Sequence, residues 1–211
     1  MKFPIVLIGG GGHCRSCIDV IEQEDKYRID GIVDVSEKLH QKILGYEIIA
    51  TDADLPNLIE EYTVFMITVG QIESPEKRIT LFKELKRLGA KLAKIVSPLA
   101  YVSSSAKVGE GTIVMHQALV NAGAQVGQNC IINTKVLIEH DTRIGDHCHI
   151  STGSVVNGGV RIGHGTFFGS NAVTREYIEI GDNCVIGVGG RITRNVASNS
   201  VIRDNYKSVS T

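Results

Sequence analysis

The stretch that sets the fold is IGDHCHISTGSVVNGGVRIGHGTFFGSNAV, residues 144–173. An aliphatic residue or Phe recurs every six positions, at Ile144, Ile150, Val156, Ile162 and Phe168. An α-helix counts in 3.6 and a half-buried strand in two, so neither element accounts for a period of six. Stepping backward gives Val102, Val108, Val114, Val120, Val126, Ile132 and Ile138; stepping forward gives Thr174, Ile180, Ile186 and Ile192. Thr174 alone breaks the apolar rule. Four residues after these positions the side chains are mostly small, among them Ala106, Ala118, Ala124, Cys130, Cys148, Ser154, Ala172 and Cys184.

One large and one small inward position per hexad fits a triangular solenoid, in which three short strands make a coil of about 18 residues. The run from Val102 to Ile192 makes about five coils, a prism roughly 25 Å tall at β-ladder spacing. Cys130, Cys148 and Cys184 then belong to its core.

Residues 1–97 read differently. Apolar runs at Phe3 to Ile8, Ile29 to Val33, Tyr46 to Ile49 and Val64 to Val69 alternate with helical patterns at Ser16 to Glu24, Asp54 to Glu61 and Pro75 to Leu88. That alternation predicts a small Rossmann-like parallel sheet, with Ser97-Pro98 as the join to a second domain over 98–211. Gly9-Gly10-Gly11-Gly12-His13 lies between the first strand and its helix, where backbone amides meet phosphates. Cys14 stands where a dinucleotide fingerprint has its third glycine, which argues against NAD. Asp34, at the end of the second strand, is placed to accept from a ribose or base, and Gly70 lets a ligand approach a later strand end.

Charge is nearly balanced, 22 Lys plus Arg against 23 Asp plus Glu, so no electrostatic footprint points to nucleic acid or a membrane surface. The first apolar run is short and ends in glycines, and none approaches the length of a membrane span. The expectation is a cytoplasmic protein acting on small molecules. Five cysteines argue against a full disulfide framework, and Cys14-x-x-Cys17 has no second ligand pair, which leaves two helix thiols.

The repeat block resembles the hexapeptide-repeat acyltransferases, whose repeats build a left-handed parallel β-helix. With the N-terminal half included, the whole chain is similar to one family of these. That family contains the nucleotide-linked 4-amino-sugar N-acetyltransferases and sialic-acid O-acetyltransferases of bacterial surface-glycan synthesis. The resemblance implies an acetyl-CoA-dependent enzyme, without a metal, that assembles as a homotrimer. It implies that Gly11, Gly12, His13, Asp34 and Gly70 hold a sugar nucleotide. Where relatives carry two adjacent acids, this chain has Asp34-Val35.

Acetyl transfer to an amine needs a base and a donor for the tetrahedral oxyanion. His140 stands two places after Ile138, projects outward, and is flanked by Glu139 and Asp141. The resemblance makes His140 the base and Asp141 its support. One coil of 18 residues on, Gly158 stands above His140, and the resemblance makes its amide the oxyanion donor. It also assigns His149, Ser170 and Gly187 to acetyl-CoA. His149 is half a coil from His140, so the two diverge within one prism and meet only across a subunit boundary. His116, His147 and His164 are left as surface polar residues, and no contact is assigned to the basic Arg191, Arg194, Arg203 and Lys207.

Sialic-acid-type O-acetylation would use the same fold and the same histidine. A zinc hydratase on this helix needs a histidine pair five apart, which the chain lacks. A non-enzymatic sugar-nucleotide binder would have no use for His140, Asp141 and Gly158. The reading is therefore an N-acetyltransferase acting on the 4-amino group of a nucleotide-linked amino-deoxy sugar.

Overall fold

The computed structural model describes residues 2–203. Its N-terminal part runs β1 (Phe3–Ile8), α1 (Gly12–Glu24), β2 (Tyr27–Val33), β3 (Lys42–Ile43), β4 (Tyr46–Ala50), α2 (Leu55–Glu61), β5 (Val64–Ile67), α3 (Glu76–Arg87) and β6 (Lys91–Leu92). These strands form one sheet in the order β3-β4-β2-β1-β5-β6. The pairs are parallel apart from β3 with β4. The unbroken aliphatic run of β1 is buried on both faces, as a central parallel strand requires. Ile5 and Leu7 join the cluster under α1, while Val6 and Ile8 join the one that holds Leu81, Phe82 and Leu85 of α3. Because β2 and β4 lie on one side of β1, and β5 and β6 on the other, the crevice at the carboxyl ends of β1 and β5 is a topological switch point.

The structure departs from the sequence expectation at α1 and beside β4, and it adds the short edge strand β6. Helix α1 begins at Gly12, four residues early, because the last loop glycine enters its first turn behind an extended Gly11. Strand β4 gains an antiparallel partner, β3, through a turn in which Leu44 and Gly45 both take positive φ.

From Ile95 onward the chain winds into a left-handed β-helix of two-residue strands. The first face stacks Ile95–Val96, Ile113–Val114, Ile131–Ile132, His149–Ile150, Phe167–Phe168, Val185–Ile186 and Val201–Ile202. The second stacks Tyr101–Val102, Leu119–Val120, Leu137–Ile138, Val155–Val156, Val173–Thr174 and Arg191–Ile192. The third stacks Lys107–Val108, Gln125–Val126, Arg143–Ile144, Arg161–Ile162 and Glu179–Ile180. Partners such as Ile113 and Ile131, or Leu119 and Leu137, lie 18 residues apart, one coil.

The inward series is the one read from the sequence. Ile132, Ile138, Ile150, Val156, Phe168 and Ile186 are fully buried, with Ala124, Cys130, Cys148 and Cys184 between them. Where the small position carries a hydroxyl, the hydroxyl donates to a corner carbonyl fifteen residues on, as from Thr112 to Gly127, Ser154 to Gly169 and Thr166 to Gly181. The thiols of Cys130 and Cys148 reach Gly145 and Gly163 in the same way. These buried hydroxyls and thiols are thereby satisfied. At the corners, a residue in the left-handed region recurs every six positions, from Gly111 through Gln117, Gly123, Asn129, Lys135, Asp141 and His147 to Gly189. Gly and Asn fill many of these positions, as left-handed backbone favours.

The three faces have different outer surfaces. On the first, Ile95, Ile113 and Ile131 share a cluster with Cys14, Cys17, Ile18 and Ile21 of α1, so the N-terminal part covers its first rungs. On the third, Lys107, Gln125, Arg143, Arg161 and Glu179 are exposed and line an open groove of about 1150 Å³ that holds none of the candidate site residues. On the second, Leu119, Leu137, Val155 and Val173 form an apolar column left part-exposed, with Tyr101 60% exposed at its end.

Truncating Ile150 to Ala in mid-prism leaves a cavity with rigid walls. It is expected to lower the unfolding free energy by about 2–5 kcal/mol, against about 0.5 kcal/mol or less for Arg161→Ala on the third face. Urea unfolding of both variants checks the contrast.

Candidate active site

At the switch point a cavity of about 560 Å³ opens between the two parts of the chain. Its walls include the loop Gly9 to His13, Asp34, Lys38, Val69 to Ile72, Lys77, Asn133 and His149. The four glycines divide into two pairs. Gly9 takes φ +106°, and a side chain there would strike Val69, while one at Gly10 would meet Ile43 and Asp34. A Cβ at Gly11 or Gly12 meets nothing within 4 Å, so the space beside them belongs to the cavity. The first pair lets the loop close, and the second leaves the N-terminus of α1 open to an occupant. Among the expected binding residues, Gly11, Gly12, His13, Asp34 and Gly70 all line this cavity.

Asp34 has a structural task as well. Its Oδ2 accepts from the Gly10 N–H at 2.8 Å and from Lys38 Nζ at 2.9 Å, and its Oδ1 accepts from the Val35 N–H at 2.8 Å. Burial alone would raise its pKa, but the bonds from Lys38, Val35 and Gly10 outweigh it and hold the carboxyl below its ordinary value. The carboxylate thus ties the glycine loop to the end of β2.

His149 stands on the first face, beneath the N-terminal part. Its Nδ1 donates to the Gln71 carbonyl at 2.6 Å and its Nε2 faces Asn133 Nδ2 at 3.1 Å. The edge of Phe167 packs against it with ring centroids 5.2 Å apart. A second groove, of about 650 Å³, continues from the same loop; Ile72, Phe167, Ser170, Gly187 and Arg203 are among its walls. Ser170 and Gly187, expected on the acetyl-CoA side, therefore sit together, and Ile72 lines both cavities. Lys207 lies outside the described residues.

His140 lies elsewhere, at the corner that follows Leu137–Ile138 on the second face. It is half exposed and lines none of these cavities. Its Nδ1 lies 3.0 Å from Asp141 Oδ2. An ionised carboxylate only accepts, so in the neutral imidazole Nδ1 carries the proton and Nε2 the lone pair. That nitrogen faces Gly158 one coil on, where a Cβ would stand 2.5 Å away. Gly158 has no positive φ, so the glycine there is a matter of room for the imidazole. The neighbouring Gly159 does need its conformation, at φ +68°. His140, Asp141 and Gly158 are thus brought together, as the coil arithmetic anticipates, while His13 and His149 form a separate group.

The structure adds residues that the sequence reading left out. Arg78 of α3 is fully buried. Its guanidinium donates to the carbonyls of Ile67 and Val69 at the end of β5 and to Asn129 O and Oδ1 on the β-helix, the latter two at 2.9 and 2.8 Å. Burial lowers its pKa to about 10, so it stays charged at neutral pH. It shares one helix stripe with Leu81, Phe82 and Leu85, at i+3, i+4 and i+7, and that was the available signal. His116 and His147 are corrected from surface residues to parts of the joint. His116 bridges Ser97 Oγ at 2.6 Å and Asp19 Oδ2 at 2.8 Å, and His147 meets Asn129 Nδ2 at 2.9 Å with its ring against Phe82. His164 is exposed. All five cysteines are free and buried, and burial raises the Cys14 thiol to about 11. Among the described residues there is no metal-ligating group of three or more side chains, and no helix is long and apolar enough to cross a membrane.

Residues 4–85 match the PglD N-terminal domain family. Residues 123–158 and 141–176 match the bacterial transferase hexapeptide, and 159–194 the hexapeptide repeat of succinyl-transferase. The chain thus joins a PglD-type N-terminal domain to the hexapeptide repeats of bacterial transferases. It is an acetyltransferase of the kind seen in its structural neighbours. A variant of perosamine N-acetyltransferase from Caulobacter crescentus, in complex with CoA and GDP-perosamine, superposes with a TM-score of 0.89 at 29% identity, over 95% of this chain and 93% of that one. The acetyltransferase domain of PglB from Neisseria gonorrhoeae FA1090 superposes with a TM-score of 0.88 at 27% identity, over 97% and 98%. WeeI from Acinetobacter baumannii AYE, 15% identical with a TM-score of 0.62 over 97% and 98%, shares the fold. No curated protein sequence matches the chain.

Burial first, with Arg78 adding to it, pulls His149 down from 6.5 to about 4, against the opposing Gln71 bond, and His13 from 6.5 to about 3. The unfolded chain takes up these protons near pH 6.5, whereas the folded one stays neutral to about pH 4 and 3. Stability therefore falls as pH drops from about 6.5 toward those values. The wild-type melting temperature is expected to fall more steeply over that window than that of His13→Gln/His149→Gln. Parallel slopes in a thermal-shift titration would contradict this.

Proposed function

We propose that this acetyltransferase moves the acetyl group of acetyl-CoA to the 4-amino group of a nucleotide-linked amino-deoxy sugar, in bacterial surface-glycan synthesis. The observation that carries the reading is the free Nε2 of His140, oriented by Asp141 and facing Gly158. The likeness to perosamine N-acetyltransferase with GDP-perosamine and CoA supports amine rather than hydroxyl as acceptor. The amine nitrogen attacks the thioester carbonyl while His140 Nε2 takes its proton. The Gly158 N–H receives the tetrahedral oxyanion, and collapse breaks the carbon–sulfur bond. The CoA thiolate leaves with the proton from the imidazolium.

In this reading residues 1–97 bind the sugar nucleotide and 98–211 carry out acyl transfer. The diphosphate meets the open N-terminus of α1 at Gly11 and Gly12, and His13, Asp34 and Gly70 bound the rest of that cavity. The pantetheine arm follows the second groove past His149, Ser170 and Gly187. The five free, buried thiols fit a reducing cytoplasm.

His140 and the nucleotide cavity lie on different faces of one prism, so a complete site needs a second copy. The apolar column on the second face, beside His140, offers the surface for it, and three prisms packed through such faces make a homotrimer.

Acetyl-CoA turnover against a panel of UDP-, GDP- and dTDP-linked amino sugars, with free sialic acid included, tests the reading. His140→Ala is expected to lower kcat by roughly 10² or more while acetyl-CoA binding persists, and Asp141→Asn by less. Wild-type turnover in His140→Ala would remove the histidine from the mechanism. Leu137→Asp on the second face is expected to give monomers in light scattering and to lose activity together with assembly. An active monomer would contradict the shared site.

A further inference from the structure

Thr174 is the only member of the six-residue series that is not apolar, yet it is 2% exposed and points inward like the rest. A buried hydroxyl in an aliphatic column is costly unless it bonds. Its bond falls beside His140.

Along the second face the ladder repeats one pattern. The residue after each strand pair donates its N–H to the carbonyl of the strand's last residue one coil on: Asn121 to Ile138, Glu139 to Val156 and Arg175 to Ile192. At Asn157 the pattern fails. Its N–H donates to Thr174 Oγ1 at 2.9 Å, and the Thr174 carbonyl instead accepts from Asn157 Nδ2 at 2.6 Å. The rung keeps the pair Val155 with Val173, whereas the rungs on either side keep two pairs. The Asn157 carbonyl accepts from Thr142 Oγ1 at 3.1 Å, inside the prism. In a trans peptide the next N–H points the opposite way, so the Gly158 N–H is directed outward. It has no acceptor among the described residues.

We propose that Thr174 is a positioning residue for acetyl transfer: its hydroxyl withdraws the Asn157 N–H from the ladder and thereby sets the Asn157–Gly158 peptide, and the Gly158 N–H, opposite His140. The proposal rests on the reading of His140 and Gly158 given above. An aliphatic residue at 174 would let the Asn157 N–H return to the carbonyl, and the turn would become regular like its neighbours. The sequence exception is thus explained by the catalytic corner that it adjoins.

The test compares Thr174→Val, which restores the aliphatic rule at equal volume, with Thr174→Ser, which keeps the hydroxyl, and with His140→Ala. Thr174→Val is expected to melt no lower than wild type and to lose about tenfold or more in kcat, with KM for both substrates within about twofold. Thr174→Ser is expected to keep kcat within about threefold of wild type. Wild-type kcat in Thr174→Val, or an equal loss in Thr174→Ser, overturns the proposal. If His140→Ala is inactive and Thr174→Val is not, only the role of Thr174 fails. If His140→Ala is fully active, the acetyl-transfer reading of this corner fails first.

Discussion

The guanidinium of Arg78 binds the two halves of the chain to each other. Leaving a buried cation without a carboxylate is costly, and here main-chain carbonyls from both sides and the Asn129 side chain take the place of water. The bond to the Val69 carbonyl fixes the segment that leads to Gln71, and the Gln71 carbonyl in turn fixes the tautomer of His149. The same charge helps keep His13 and His149 neutral. The shape of the cavity, the hydrogen-bonding character of its walls and the seating of the sheet on the prism all depend on that contact. Asp19, Ser97 and His116 add a second tie at the join.

A triangular prism has three outer surfaces, and this chain gives each a different use. One is roofed by the α/β part and carries the cavities, one is polar, and one presents a column of aliphatic side chains. His140 stands at the edge of the aliphatic surface and the cavities lie under the roof. The division follows from the outward residue of each two-residue strand, since the inward residue of every face is alike. Ile113, Leu119 and Gln125, six residues apart, face α1, the apolar column and solvent respectively.

Much of this was legible in the sequence because the β-helix is strictly periodic. A step of six located the core, and a step of eighteen placed Gly158 against His140 before any coordinates. The corner residue was harder to see, because Asp141, His147 and Tyr177 adopt left-handed backbone as well as Gly and Asn, which dilutes the signal. Arg78 was missed for a different reason: α3 also carries Lys77, Lys83, Lys86 and Arg87, and composition alone does not distinguish the buried cation from its solvated neighbours. The sequence placed the loop GGGGH between a strand and its helix, but only the structure separates Gly9 and Gly10, which close the turn, from Gly11 and Gly12, which border open space. His116 and His147 have partners distant in sequence, Asp19 and Phe82, and no local pattern connects them.

The 18-residue coil also limits how such a gene can change in length. A duplication of one whole coil leaves every downstream side chain on its own face, so it adds height to the prism without repacking it. An insertion of one hexad preserves the inward series but rotates everything after it by one face, turning solvated arginines toward α1 or aliphatic residues toward water. Between His140 and Gly158 even a whole coil breaks a contact, because the two residues would then stand two storeys apart.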